Sequence, residues 1–287
     1  MVNFFVYIFY FYFILISILG FGFIVKNYFR LNLLENCFGY FGLIGISIIL
    51  IYSYLSNLFF AHGKLHNFLF LLIGFIAFFY FIKNKFNPYK KEIIITAFFS
   101  FILLISIFIF KSHDDFAYYH FPYSYYLTEQ KMIIGIGQIL QGFRTPSSIF
   151  YFNSLLYLPL VEYSLFNFFP VYILGFSNLI LIKKIFKITS KPSNLNYLSL
   201  LVFIFINIFF YRMSEHGTDR SAQILIFLLI IEILNQVNKL KIDNKNLHLI
   251  YILTAIIISL KAFYILYLLL LLPKKKKEVI NIDKVID

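Results

Sequence analysis

Long apolar runs alternate with short polar breaks along almost the whole chain. The runs fall at 4–25, 38–60, 67–82, 93–110, 150–182, 195–211, 221–237 and 247–272. A helix needs roughly 20 apolar residues to cross a bilayer. The pattern therefore predicts an all-α, polytopic transmembrane bundle of about eight or nine spans, with loops in place of soluble domains. The run 4–25 is too long for a signal-peptide core and has no basic segment before it, so it is expected to be a retained span. The run 150–182 contains Pro159 and Pro170 and reads as one kinked or tilted span, with room for a short interfacial helix before it.

Lysine placement orients these runs. Lys83, Lys85, Lys90 and Lys91 fall in one break, Lys183, Lys184, Lys187 and Lys191 in another, and Lys239, Lys241 and Lys245 in a third. Lys26 and Arg30 fit the same side, which the rule makes cytoplasmic. The breaks at 61–66, 111–149 and 212–220 then lie outside. A single span over 247–272 would put Lys274–Lys277 on the wrong side. Lys261 sits in the middle of that run, where a charge costs at least ~2.5 kcal/mol on insertion scales. The run is expected to break there into two short arms, 245–259 and 262–273, with the Lys261 ammonium in a cavity open to the outside.

Composition supports the membrane reading. The chain has 287 residues, 61% hydrophobic and 13% charged, and a mean hydropathy of +0.84. Soluble domains carry roughly 25% charged residues. The net charge of +12 comes from lysines in the breaks, so it marks topology and not a nucleic-acid partner. The single cysteine, Cys37, excludes an intrachain disulfide and a cysteine metal cluster. No phosphate-binding loop, dinucleotide fingerprint or GxSxG motif is present.

The polar groups gather in the outside breaks. The second of these breaks holds SHDDFAYYHFPYSYYLTEQKMIIGIGQILQGFRTPSS, residues 112–148. It opens on His113, Asp114, Asp115, Tyr119 and His120 at a span end, where partial burial can raise a carboxylate toward a useful base. Its later half holds Glu129, Gln138 and Arg144. Mixed apolar and polar positions over 123–141 suit a helix lying in the interface, and Gly135, Gly137 and Gly142 suggest close backbone approach. The third outside break is YRMSEHGTDRSAQ, residues 211–223, with Arg212, His216, Asp219 and Arg220. Capping of the next helix explains Thr218 or Asp219 but not the two arginines. Arginine is the side chain that grips phosphate with two parallel bonds.

DDFAYYH at 114–120, GIGQILQGFRTPSS at 135–148, HGTDR at 216–220 and SLK at 259–261 together resemble the GT-C superfamily of integral membrane glycosyltransferases. The set looks closest to bacterial multi-span members of unknown acceptor. The resemblance covers residues 93–273, with external loop 111–149. It leaves 1–92 as a three-span extension and 274–287 as a short basic and polar tail, expected to be a truncation point. In that superfamily the acidic loop usually follows the first span, whereas three spans precede residue 93 in this chain.

The resemblance implies transfer of a sugar from a polyprenyl-phosphate donor to a hydroxyl acceptor on the non-cytoplasmic face of the plasma or inner membrane. The implied base is Asp115, with Asp114 and His120 beside it. Arg144, Arg212, Arg220 and Lys261 would hold the donor phosphate, and His113, Tyr119, Glu129, Gln138, His216 and Asp219 would support. No cofactor is implied; Asp114 and Asp115 with a phosphate leave room for a divalent ion. Two rival readings are a lipid-linked sugar flippase and a non-catalytic membrane subunit. Sugar, acceptor and protein partners are not specified by the sequence.

Overall fold

The computed structural model describes residues 4–29, 37–83, 86–108, 115–144, 146–186, 193–210, 218–237 and 244–271. It is all-helical; among the described residues no strand forms beyond an isolated antiparallel bridge between Leu158 and Glu162. The helices are α1 Phe4–Tyr28, α2 Phe38–Asn57, α3 Lys64–Lys83, α4 Phe86–Ile107, α5 Phe121–Glu129, α6 Ser148–Leu155, α7 Phe168–Ile185, α8 Asn194–Phe209, α9 Thr218–Val237 and α10 Asn244–Leu260. A π-helical turn, Phe116–His120, leads into α5, and a 3₁₀ segment, Ala262–Leu271, follows α10. Among the described residues, five stretches are long and apolar enough to cross a membrane: Phe4–Tyr28, Phe38–Asn57, Lys64–Lys83, Tyr163–Ile185 and Asp219–Val237.

Contacts between helix ends fix how the long helices run. At one end Lys26 Nζ, closing α1, donates to the Tyr89 hydroxyl at the start of α4 (3.1 Å). Beside it Glu92 accepts from Lys183 Nζ at the end of α7 (3.0 Å) and from the Phe38 N–H at the start of α2 (3.2 Å). Asn196, opening α8, donates to the Lys184 carbonyl (2.7 Å). At the other end Asn57, closing α2, donates to the Leu127 carbonyl (3.0 Å). There too Ser147 Oγ donates to the Leu260 carbonyl at the end of α10 (2.6 Å). The long helices therefore alternate between a lysine-rich end and the end that carries Asp115.

Glycines let α1 sit tightly between α2 and α3. A methyl group on Gly20 would stand 1.8 Å from the Gly74 carbonyl oxygen, and one on Gly45 1.9 Å from that of Ile18. Small residues allow such backbone approach where lipid supplies no hydrophobic drive between helices. Packing of α1 on α7 is aromatic: Phe11 stacks on Tyr172 at 5.4 Å, and the Tyr172 hydroxyl donates to the Phe11 carbonyl (2.9 Å). A reciprocal amide pair, Asn178 with Asn207 (2.9 and 2.8 Å), joins α7 to α8. Outward faces stay apolar: Leu69, Ile73 and Ile76 on α3, Phe98 and Phe101 on α4, and Leu201 and Ile208 on α8 are exposed. Patches of that size are unfavourable in water and natural against lipid.

Three expectations change. The run 150–182 is not one span. It divides into α6, a turn at 156–167 and α7, because Pro159 and the positive φ of Leu160 (67°) and Glu162 (51°) end the helical ladder. The helix expected over 123–141 stops at Glu129, where Gln130 turns extended (φ −134°, ψ 150°), and Gly135 (φ 90°) lies in the left-handed region beyond. Lys90 and Lys91 belong to the opening turns of α4, not to a loop. The expected break at Lys261 is present: α10 ends at Leu260 and the chain tightens to 3₁₀ from Ala262. Lys274–Lys277 lie outside the described residues.

A buried ion pair crosses the bundle toward the lysine-rich end. Lys184 Nζ lies 2.9 Å from Glu232, whose side chain is 3% exposed, and the Tyr40 hydroxyl donates to the same carboxylate (2.8 Å). Removing one member of such a pair strands a charge, which typically costs about 3–5 kcal/mol, whereas replacing both by apolar groups is often neutral. We expect Glu232→Leu alone to lose stability of that order and Lys184→Met/Glu232→Leu together to recover most of it. Thermal melting of the purified protein in one detergent checks this; a double variant as weak as the single would contradict it.

Candidate functional site

Two polar clusters occupy the Asp115 end. The first forms where the loop after α4, the start of α9 and the break after α10 come together. Asp219, in the first turn of α9, is ion-paired with Lys261, and both side chains are about half exposed. The break therefore gives Lys261 a partner on a neighbouring helix, which the sequence did not indicate. Tyr119 lies within electrostatic reach of both Asp115 and Asp219; burial first, then these two carboxylates, raise its hydroxyl pKa. Tyr264, just past the break, is in reach of Asp219 and Lys261 and is hydrogen-bonded to Gln223. Arg220 follows Asp219 and is half-buried. The arrangement brings two carboxylates, a phenol and an ammonium together.

The loop that carries Asp115 is clamped from beneath. A Cβ on Gly142 would stand 2.6 Å from the Tyr119 Cβ, so only glycine admits this approach. Arg144 Nε donates to the Gly137 carbonyl (2.9 Å) and closes the 3₁₀ turns. Loop closure is thus an observed task of Arg144. The glycine-rich stretch does approach something closely, and that something is the chain's own tyrosine and arginine. His120 is buried, its ring 4.3 Å from that of Tyr119 and 5.5 Å from Phe150.

Other predicted residues lie apart. Glu129 closes α5 on the exposed surface, hydrogen-bonded to Tyr125. Gln138 is exposed in a 3₁₀ turn. Asp114, His113, Arg212 and His216 lie outside the described residues. Among the described residues no group of three or more His, Cys, Asp or Glu gathers as a metal site.

The second cluster was not singled out from sequence. It lies under the turn between α2 and α3, in AHGKLHN at 61–67. Asn67 Nδ2 donates to the carbonyls of His62, Ser154 and Tyr157 (3.0, 2.8 and 3.0 Å), which leaves Asn67 Oδ1 to accept from His66 Nδ1 (2.9 Å). With Nδ1 as the donor, the His66 tautomer leaves Nε2 to accept a hydrogen bond from the Tyr52 hydroxyl (2.7 Å). The buried His62 ring bridges Ser56 (2.9 Å) and Ser154 (2.7 Å). Burial, with a smaller push from the His66 ring, pulls the His62 pKa down to about 3. Above the cluster Lys64 pairs with Glu162 (2.7 Å). Two histidines in a short break carry no more polarity than a turn between apolar runs is expected to show.

The fold defines a class: an all-helical bundle with several helices of membrane-crossing length and apolarity, and a polar cluster at one end. The chain belongs to the family described as Domain of unknown function (DUF8201), whose model matches residues 4–283. No curated protein and no solved structure matches it.

Two outcomes follow from this geometry. The folded state holds His62 neutral, while the unfolded chain binds a proton below about pH 6.5. Stability should therefore be full above that value and fall as pH drops from about 6.5 toward 3, by up to ~1.4 kcal/mol per unit. Melting curves across that range, run beside His62→Gln, check this; an unchanged slope in the variant would contradict it. Gly142→Ala should push Tyr119 aside and loosen 115–144, read as faster proteolysis in that loop with the bundle's melting temperature little changed.

Proposed function

We propose that the chain is an integral membrane glycosyltransferase of GT-C type that crosses the bilayer about eight or nine times. The Asp115 end faces the non-cytoplasmic side, in line with the lysines at the other end. The donor is a sugar on a polyprenyl phosphate and the acceptor is a hydroxyl group. The observation that supports this reading best is the grouping of Asp115, Tyr119, Asp219 and Lys261 from three separate segments.

In this reading Asp115 accepts the proton of the acceptor hydroxyl, whose oxygen attacks the anomeric carbon. The bond from that carbon to the phosphate oxygen breaks, and the phosphate leaves with inverted configuration at the sugar. Lys261 and Arg220, with Arg212 and Arg144, offset the charge that grows on the leaving phosphate. Asp219 positions Lys261 and shares its charge until the donor arrives. Tyr119 is placed to hydrogen-bond a sugar or phosphate oxygen. The lipid tail lies along the apolar helix faces. No metal is required for these steps.

A transport reading draws on one observation, the buried Lys184–Glu232 pair, since ionisable residues inside spans often mark pathways. The test separates the two. Asp115→Asn should lower sugar transfer from a polyprenyl-phosphate donor about 10²–10⁴-fold, the usual weight of a general base, with unchanged abundance in the membrane. Arg220→Ala should raise the donor concentration needed. Transfer at the normal rate by Asp115→Asn refutes the assignment, and flipping of the lipid without transfer by the unmodified protein favours transport.

A further inference from the structure

The loop after α5 carries apolar side chains into the open. Ile134 is 92% exposed and Ile139 83%, with Ile133 and Leu140 exposed beside them. A cluster of this kind is unfavourable in water and marks a contact surface. The loop holds its shape through other residues. Met132, Ile136 and Phe143 pack against the buried core, and the Tyr151 hydroxyl donates to the Met132 sulfur (2.9 Å). Internal packing therefore does not account for the four exposed side chains.

Helix α2 sets the depth at which they stand. Its 20 residues, Phe38–Asn57, cover about 30 Å, which is the thickness of a hydrocarbon core. It starts at the lysine-rich end, where the Phe38 N–H meets Glu92. The carbonyl of its last residue, Asn57, accepts from the Met132 N–H (2.9 Å). In a bilayer Met132 is thus tied to the level where α2 leaves the hydrocarbon. Ile133 and Ile134 follow at once, within about 7 Å of that level even in a fully extended chain. The N–H groups of Ile139 and Leu140 both donate to the Ile136 carbonyl (3.0 and 3.2 Å), which keeps them in the same turn. Leu58, Phe59 and Phe60, just past α2, are exposed as well. Lys131 adjoins the tip, and a long cationic side chain suits the phosphate level beside buried apolar neighbours.

We propose that the loop tip at 133–140 is a wedge that inserts into the lipid surface at the Asp115 end. Ile133, Ile134, Ile139 and Leu140 enter the upper acyl region, Lys131 meets the phosphates, and Gln138 stays among the headgroups, where water reaches it. An interfacial helix was expected over 123–141; the contact proposed is made instead by a loop beyond the end of α5. The partner is lipid because the tip is bonded to the end of a helix of membrane-crossing length. The stem of the same loop passes Gly142 against Tyr119 and closes through Arg144 onto Gly137. The wedge therefore fixes the height of the Tyr119 cluster over the lipid. The proposal rests on the chain lying in a bilayer and is independent of the transferase reading.

The experiment places an environment-sensitive dye on single introduced cysteines of the full chain, reconstituted in vesicles of phosphatidylethanolamine and phosphatidylglycerol. Cys37 is buried and stays unlabelled. Ile134→Cys and Ile139→Cys are the reporters, and both positions are exposed, so packing is kept. Glu129→Cys, exposed at the end of α5, is the control. Both reporters should show blue-shifted emission that aqueous iodide does not quench. They should lose most of it to lipids with a nitroxide near the headgroup, and less to lipids with the nitroxide near the bilayer centre. The control should emit as in water and be quenched by iodide. Water-like, iodide-quenched emission at both reporters overturns the proposal. Blue-shifted emission that nitroxide lipids leave unchanged overturns it too, because a second copy or another protein then covers the tip. An equal blue shift and equal lipid quenching at Glu129→Cys also overturns it, since the dye then reports its own affinity for lipid.

Discussion

A charged or hydrogen-bonding group held among apolar helices must find its partner inside the protein. That constraint organises this molecule into two polar layers. One holds Lys184, Glu232, Tyr40, Lys183 and Glu92; the other holds Asp219, Lys261, Tyr119 and Asp115. Asp219 and Glu232 share α9, thirteen residues apart, so the layers are separated by about 20 Å. Between them the helices touch through phenylalanines, leucines and bare glycine backbone. The outer faces need no polar residues if lipid surrounds them, and they carry few.

The layer at Asp115 is built from breaks in helices. Continuous helices would present only side chains on fixed spacings. The π turn before α5, the glycine-clamped loop over 135–144 and the stop at Lys261 set irregular backbone around one polar cluster. Irregular backbone at such depth is tolerated where protein or water satisfies it. The Leu260 carbonyl, freed at the end of α10, accepts from Ser147. The same break sets the Lys261 ammonium against Asp219. A helix terminus, its capping and a candidate phosphate ligand are thus one local event.

Much of this was legible from residue pattern. Helix positions followed the apolar runs, and the break at Lys261 followed from the cost of a lone charge within one. Asp115, Tyr119 and Asp219 stood out as polar groups crowded between runs. The same logic, applied to Glu232 in the run 221–237, would have found the buried pair, but its partner on α7 sits among lysines that read as topology markers. The His62 network was hidden for a related reason. A short turn between spans is expected to be polar, so its histidines carried no surplus signal until Ser56, Asn67 and Ser154 closed around them. The division of 150–182 depends on backbone at Leu160 and Glu162 with positive φ, which residues of those types do not announce.

The central claim is that the two layers lie on opposite sides of a membrane. Cys37, the chain's single cysteine, is 1% exposed, so introduced cysteines can be read against a silent background. Asn87 and Gln138 are both exposed, one at each end of the bundle. Labelling with a membrane-impermeant maleimide should modify Gln138→Cys in intact cells and Asn87→Cys only after the membrane is opened. Modification of both from the same side would contradict the account.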